Sequence, residues 1–300
     1  MILTVTFNPA VDLDFIINDF HPGGRYHANV SRRSPGGGGI NISIILSRLG
    51  LSSIATGFLA GFNASYILDS LRREKVFAHF IHTRGETRIN VCITDTEKNL
   101  ETRLHELGLD ILEHDRTAFV VNFERTLGRV ERVVMGGSLP PGFDGSIYTR
   151  LMRIAQNSSI PTILSPRKED LEVVLEETPT ILKLNYQKSA EIFMARAESL
   201  HRKGTEWVCA SLEEGRVIFS SQRGAWIAEG ESAEMLYTYA TEDALLAGMI
   251  AAIQQRASTE DIMRLAMACN WECATHPEKF PRDRARVEEL THRVLLTKID

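Results

Sequence analysis

Three hundred residues, 43% of them hydrophobic, are enough to bury one large core, and 24% charged residues are ordinary for a globular chain. Thirty-four basic against 39 acidic side chains leave a formal charge of -5, which argues against a general nucleic-acid binder. No run of 18 apolar residues exists to span a membrane, and Met1-Ile-Leu-Thr-Val-Thr-Phe7 lacks the basic region and cleavage site of a signal peptide. Four cysteines, at 92, 209, 269 and 273, are too few for a disulfide scaffold. A cytoplasmic globular protein is the expectation.

Apolar bursts alternate with helical periodicity along the chain. Ile2 to Phe7 reads as a buried strand, Ile40 to Leu49 as a helix after a glycine run, Ile54 to Leu59 as a strand and Tyr66 to Arg73 as a helix. The same alternation continues with Arg132 to Met135, Ser146 to Gln156, Pro161 to Leu164 and Lys168 to Glu177. Thr180 to Leu184, Gln187 to Arg202 and Trp207 to Ala210 repeat it, and two helices follow at Asp243 to Arg256 and Thr259 to Cys273. This pitch implies βαβ units and a mainly parallel sheet covered by helices on both faces, an α/β fold. Two stretches, 12–34 and 77–103, instead show period-two alternation, as in Phe77-Ala-His-Phe-Ile and Arg88-Ile-Asn-Val-Cys-Ile-Thr, and predict a small projecting sheet. The tail from Pro281 to Asp300 reads as a solvated terminal helix. With no linker, repeat or low-complexity tract, residues 1–300 read as one domain.

The most informative feature is Pro35-Gly-Gly-Gly-Gly-Ile-Asn41, directly before a helix. Such a run exposes backbone N–H groups and admits another molecule closely, although a glycine run on its own is more often just a flexible turn. It has company. Asn8-Pro-Ala-Val-Asp12 follows the first strand at the end where open α/β sheets bind ligands. Thr87-Arg-Ile-Asn-Val91 puts Arg88 and Asn90 on one side of a strand, and Gly136-Gly-Ser-Leu-Pro-Pro-Gly142 follows another strand.

Those four segments, in this order, resemble the PfkB (ribokinase-like) carbohydrate kinase family, from Met1 to about Thr275, on the side of its 1-phosphofructokinase and tagatose-6-phosphate kinase branch. The resemblance implies a doubly covered sheet with a small β lid and a homodimer formed through that lid. It also implies ATP with Mg2+ as phosphoryl donor and a phosphorylated ketohexose as acceptor. Carried over, Asp12 would accept hydrogen bonds from acceptor hydroxyls, while Gly37, Gly39, Asn41 and Asn90 would line the sugar. Arg88 would hold the acceptor's phosphate, a task for a fixed bidentate cation, beside the Ser138 loop. Taken singly, Asn8 and Ser138 could as well satisfy loop backbone, and Arg88 could pair with a lid carboxylate. Gly38 departs from the branch, which generally has Lys there. A lost charge-assisted contact costs about 1.5–3 kcal/mol, for which Arg25, His27, Arg32 or Arg33 could compensate.

The donor half departs further. The family's Thr-x-Gly-Ala-Gly-Asp reads Thr238-Tyr-Ala-Thr-Glu-Asp243 here. The general base would survive as Asp243, but the glycine anion hole becomes Ala240, Thr241 and Glu242, with a negative charge where a polyphosphate must sit. The magnesium-linked Asn-x-x-Glu becomes Asn185-Tyr-Gln-Lys188, and the nucleotide loop becomes Ser211-Leu-Glu-Glu-Gly-Arg216, keeping Ser211 and Gly215. The small-residue face beside adenine becomes Ala268-Cys-Asn-Trp-Glu272, where Trp271 would fill the pocket, and a strand-end Asp becomes Ser165. Two readings stand. One is a working sugar-phosphate kinase acting on a fructose 1-phosphate or tagatose 6-phosphate type of acceptor, its turnover impaired. The other is an inactive sugar-phosphate-binding homologue that serves as sensor or partner subunit.

Weaker features remain. Cys269, Cys273 and His276 have no fourth partner for a zinc site, and buried free cysteines are common. His21, His27 and His105 lie where they could meet substrate, although exposed histidines are the default. Rossmann and Walker patterns in the required strand context are absent.

Overall fold

The structure, a computed structural model, describes residues 1–28, 30–230, 241–276 and 279–299. The chain opens with β1 (Ile2–Thr6), β2 (Ala10–Ile17), β3 (Val30–Gly36), α1 (Gly38–Arg48), β4 (Ser53–Leu59) and α2 (Gly61–Arg73). Next come β5 (Phe77–His82), β6 (Arg88–Asp95), β7 (Leu100–His105), α3 (Glu113–Leu127), β8 (Arg132–Gly136) and α4 (Ser146–Asn157). The third stretch holds β9 (Thr162–Ser165), the short α5 (Leu171–Val174), β10 (Ile181–Leu184), α6 (Ala190–Lys203), β11 (Trp207–Ser211), β12 (Val217–Ser221) and β13 (Gly224–Glu229). Last are α7 (Thr241–Gln254), α8 (Thr259–Thr275), α9 (Arg284–Thr291) and β14 (Leu295–Ile299).

Ten strands form one sheet in the order β14-β13-β12-β11-β10-β9-β8-β1-β4-β5. From β11 through to β5 every neighbour is parallel, and β12, β13 and β14 close the other edge antiparallel. Alternate residues of the central strands feed two cores. Ile2 and Val134 point into the core under α1, α2, α7 and α8, whereas Leu3, Val5 and Met135 point into the core under α3, α4 and α6. Burial on both faces is why these strands read as unbroken apolar runs. The α/β fold expected from the alternation is the one observed.

A second sheet, β3-β2-β6-β7, stands apart as the lid. The predicted lid stretch 77–103 contained one strand too many. Residues Phe77–His82 pair parallel with β4 at the edge of the main sheet, and the half-exposure that mimics a lid strand comes from that edge position. The tail is also more than a solvated helix. After α9 it becomes β14, which pairs with β13 through Leu295 to Ile299. The hairpin of β12 and β13 and the helix α3 were not read from sequence. At the start of α8 the cap is Ser258, whose hydroxyl accepts from Asp261 N–H.

Candidate active site

All parallel strands of the main sheet run the same way, so their carboxyl ends share one rim. On this rim lie the turn after β1, the loop after β8, and the ends of β10 and β11. The lid crosses above it, because β2 leaves β1 after only three residues. Asp12 on β2 stands opposite Ser34 of β3 and Asn90 of β6, so all three share one lid face.

Asp12 is held on both oxygens: Asn90 Nδ2 donates to Oδ1 at 2.9 Å and Lys279 Nζ to Oδ2 at 2.7 Å. Burial works against its charge, but Lys279, Asn90 and Arg88 together keep the carboxyl below the usual carboxylate range. The room for it comes from Gly36, where a Cβ would lie 2.4 Å from Asp12 Oδ2. Arg88 donates through Nη2 to Asn8 O at 2.9 Å and Ser138 Oγ at 2.7 Å, and through Nη1 to Glu106 O at 3.0 Å. Its expected rival use, a side-chain ion pair with a lid carboxylate, is not what these contacts show: each is to a carbonyl or a hydroxyl. Burial lowers its pKa, against the pull of Asp12 and Glu106. Asn8 itself satisfies loop backbone, donating to Leu107 O and Leu139 O at 3.0 and 3.3 Å.

Across from the lid, Asn41 Nδ2 donates to Asp243 Oδ2 at 2.8 Å, tying α1 to the first turn of α7. Burial pushes the Asp243 carboxyl up, and the neighbouring Glu242 adds to that against the pull of Asn41. A cavity of about 360 Å³ lies between these groups, with Asp12, Gly37, Asn41, Arg88, Asn90, Ser138 and Asp243 on its wall and His105 at its lid side. Three buried polar atoms there, Asn41 Oδ1, Arg88 Nε and Asn90 Oδ1, find no partner among the described residues. Unmet polar groups of this kind are costly unless something else meets them.

The structure therefore brings every acceptor candidate to one cavity except Gly39. That residue faces β1, where a Cβ would meet Thr6 Oγ1 at 2.6 Å and Val5 O at 2.7 Å, so its lack of side chain seats α1 on the sheet and does not line a ligand. At Gly38 a Cβ would stand 3.0 Å from Asp243 Oδ1. Arg33 is turned to Asn63 Oδ1 at 2.9 Å and lies over the Tyr66 ring, and His27 is exposed. The cation that reaches Asp12 is Lys279, which the sequence reading missed.

On the donor side, Thr238, Tyr239 and Ala240 lie outside the described residues. Glu242 is not the lone negative charge expected: Lys183 Nζ, fully buried at the end of β10, sits 2.8 Å from Glu242 Oε2. A charge inside Ile181-Leu-Lys-Leu184, an otherwise apolar central strand, was the signal for it. Thr241 O accepts from Asn270 Nδ2 at 3.3 Å, and Ser211 O accepts from Gln187 N–H at 2.9 Å. Asn185 contacts Pro166 O at 3.5 Å, Lys188 is exposed, and Gly215 closes an exposed turn with φ +71°. Trp271 belongs to the core, its ring 3.1 Å from where Gly230 would carry a Cβ. Cys269 and Cys273 are buried in α8, where desolvation pushes both thiols up. Among the described residues no group of three or more His, Cys, Asp or Glu could hold a metal ion.

The model of the pfkB family carbohydrate kinases matches residues 8–277, from the turn after β1 to the end of α8. The chain belongs to the pfkB family of carbohydrate kinases. It is 29% identical over 278 residues to 1-phosphofructokinase of Bacillus subtilis (strain 168), an alignment covering 89% of this chain and 90% of that one. A crystal structure described as a possible 1-phosphofructokinase from Thermotoga maritima superposes with a TM-score of 0.92 at 28% identity, covering 100% of both chains. Phosphofructokinase-2 of Escherichia coli shares the fold, with a TM-score of 0.87 at 20% identity over 97% of this chain and 98% of that one. Among the described residues no helix is long and apolar enough to cross a membrane.

Proposed function

We propose that this chain transfers a phosphoryl group from ATP to a hydroxyl of a phosphorylated ketohexose, of the fructose 1-phosphate or tagatose 6-phosphate type. One observation carries the reading. A carboxylate set to take a proton, Asp243, and a guanidinium, Arg88, share a cavity, and Arg88 Nε, Asn41 Oδ1 and Asn90 Oδ1 on its lining residues have no partner among the described residues. The 1-phosphofructokinase relative supports a sugar-phosphate acceptor.

In this reading Asp12 and Asn90 take the sugar hydroxyls from the lid, and Asn41 holds Asp243 toward the reacting one. Arg88, with Ser138 beside it, meets the acceptor's phosphate through Nε, which has no partner among the described residues. Asp243 removes the proton of the attacking hydroxyl, and its raised pKa makes it a stronger base than an ordinary aspartate. When bound, ATP with Mg2+ supplies the phosphoryl group and neutralises its charge. Lys183, a buried cation beside the first turn of α7, fits the phosphate end once Glu242 yields it. The exposed lid strand β7, with Leu104 at 59% exposure and Leu107 just beyond it at 81%, supports a homodimer formed through the lid.

The second reading, a sugar-phosphate binder without turnover, is favoured by two features: Glu242 occupies Lys183, and Trp271 is packed into the core. Calorimetric titration with magnesium-ATP, then with fructose 1-phosphate and tagatose 6-phosphate, separates the two. Binding of donor and acceptor followed by turnover establishes the kinase. Binding of a sugar phosphate alone establishes the sensor, and binding of neither sinks the acceptor reading.

A further inference from the structure

We propose that Lys279 is a positioning residue of the acceptor pocket: its ammonium, delivered from the segment after α8, fixes the Asp12 carboxylate as the acceptor of sugar hydroxyls. The proposal rests on the acceptor reading above and extends it to a residue 267 positions away from its partner in sequence.

Lys279 is only 2% exposed, and its Nζ lies 2.7 Å from Asp12 Oδ2 and 3.4 Å from Pro35 O. Its backbone adopts φ +70°, a left-handed conformation that costs a non-glycine residue free energy. A strained backbone that sends an ammonium into the protein interior, away from water, is an expensive arrangement for packing alone. What the arrangement achieves is geometric. Asn90 engages one oxygen of Asp12 and Lys279 the other, which leaves one lone pair on each oxygen for a ligand. The carboxylate is thereby held in one rotamer with two acceptor directions, the pattern that suits two sugar hydroxyls.

The charged and titratable groups around Asp12 come from five directions. Arg88 approaches from β6, Asp14 from β2 itself, Arg103 and His105 from β7, Asp243 from α7, and Lys279 from beyond α8. Burial favours a protonated Asp12, and Lys279 contributes more than Arg88 to holding it ionised. Without Lys279 the carboxyl takes up a proton more readily, and a protonated oxygen donates where the sugar hydroxyl needs an acceptor.

The test is the pH dependence of acceptor binding, measured by calorimetry from about pH 8 to about pH 5 with fructose 1-phosphate and tagatose 6-phosphate. Wild-type affinity is expected to change only as the ligand's phosphate, with its second pKa at about 6, and the other pocket groups titrate, and that profile is the reference. Relative to that reference, Lys279→Met should lose affinity progressively toward acid, the ratio approaching about tenfold per pH unit once Asp12 titrates. Lys279→Arg should restore the wild-type profile. A purely structural role would weaken binding equally at every pH, so a parallel loss overturns the proposal, as does a methionine variant that binds like wild type. Should Lys279→Met unfold, the neutral pair Asp12→Asn with Lys279→Met keeps the packing without the buried charges. Its binding should be weak and run parallel to the wild-type pH profile, and affinity equal to wild type in that double variant also overturns the proposal. Wild-type protein that binds neither sugar phosphate overturns the acceptor reading itself, a result distinct from any difference between variants.

Discussion

On the proposed reading, Asp243 sits in the conflict that a working base needs. Burial raises its pKa while Asn41 holds its oxygen in place. Asp243→Asn should therefore abolish phosphoryl transfer, a loss of about 10²–10⁴-fold, and leave sugar-phosphate affinity nearly intact. Comparing turnover with calorimetric affinity checks this, and a variant that turns over like wild type sinks the assignment. On the proposed reading the base must be ionised to act, so turnover should fall as pH drops through a value above the ordinary aspartate range. Stability runs the other way. The folded state binds that proton more tightly than the unfolded chain, so the ionised group subtracts stability at neutral pH, and Asp243→Asn should melt at a higher temperature.

Glu242 and Lys183 pose the opposite case. Lys183 is fully buried and Glu242 partly exposed, so Glu242→Gln strands a cation that water cannot reach. A fully buried pair broken this way costs about 3–5 kcal/mol, and the exposure of Glu242 makes a smaller loss the expectation here. The variant should melt lower than wild type, recover part of the loss in pyrophosphate, and bind magnesium-ATP more tightly. Unchanged nucleotide affinity would remove Glu242 as an obstacle to the donor. At this scale the sequence was legible where a motif placed a residue at the cavity, as at Asp12, Asn41, Arg88 and Asp243. Lys279 carried no local signal, because its meaning depends on Asp12, which only folding brings near.

Among the elements, close approach decides what fits. Gly248 of α7 faces α8, where a Cβ would lie 2.7 Å from Ala266 Cα and Leu265 O. Gly248→Ala should destabilise the fold by about 1–3 kcal/mol, since backbone on both sides cannot give way as a side chain could. Chemical denaturation reads this directly, and no change in midpoint would mean the two helices can separate without penalty. Gly39 plays the same part between α1 and β1, which explains why a glycine inside a ligand-like motif turned out to serve packing. Periodicity located the central strands and most of their helices correctly. It failed at β5, because an edge strand of the main sheet and a lid strand present the same half-exposed pattern. It failed at β14 for a related reason: a five-residue strand shows its partner only after the chain has returned to β13.

For the whole molecule, the lid and the sheet are joined at the pocket by charge. Asp12 has its pKa held below the unfolded value, so it contributes stability that is present above the ordinary aspartate range and lost as pH falls through the depressed value. Acid should thus loosen the lid before the main sheet, seen as loss of hydrogen-exchange protection in β2 and β6 ahead of β1 and β8. Simultaneous loss would show the two sheets to be one cooperative unit. The exposed edge β7 belongs to this scale as well. A lid-mediated dimer predicts that Leu104→Glu with Leu107→Glu elutes as a monomer, and an unchanged wild-type dimer would place the interface elsewhere.

The amino-acid order alone determined the α/β architecture, the family and the acceptor motifs. Each is written in short-range patterns: apolar period, glycine spacing, and four segments at fixed separations. It also marked the donor half as altered. What tertiary structure decided was the electrostatic meaning of those alterations. Glu242 reads as an isolated obstacle until β10 brings Lys183 to it, and Asp12 reads as a bare acid until the residues after α8 return to it. Charges act through distance in space, and distance in space between residues 12 and 279 is something a linear pattern does not contain.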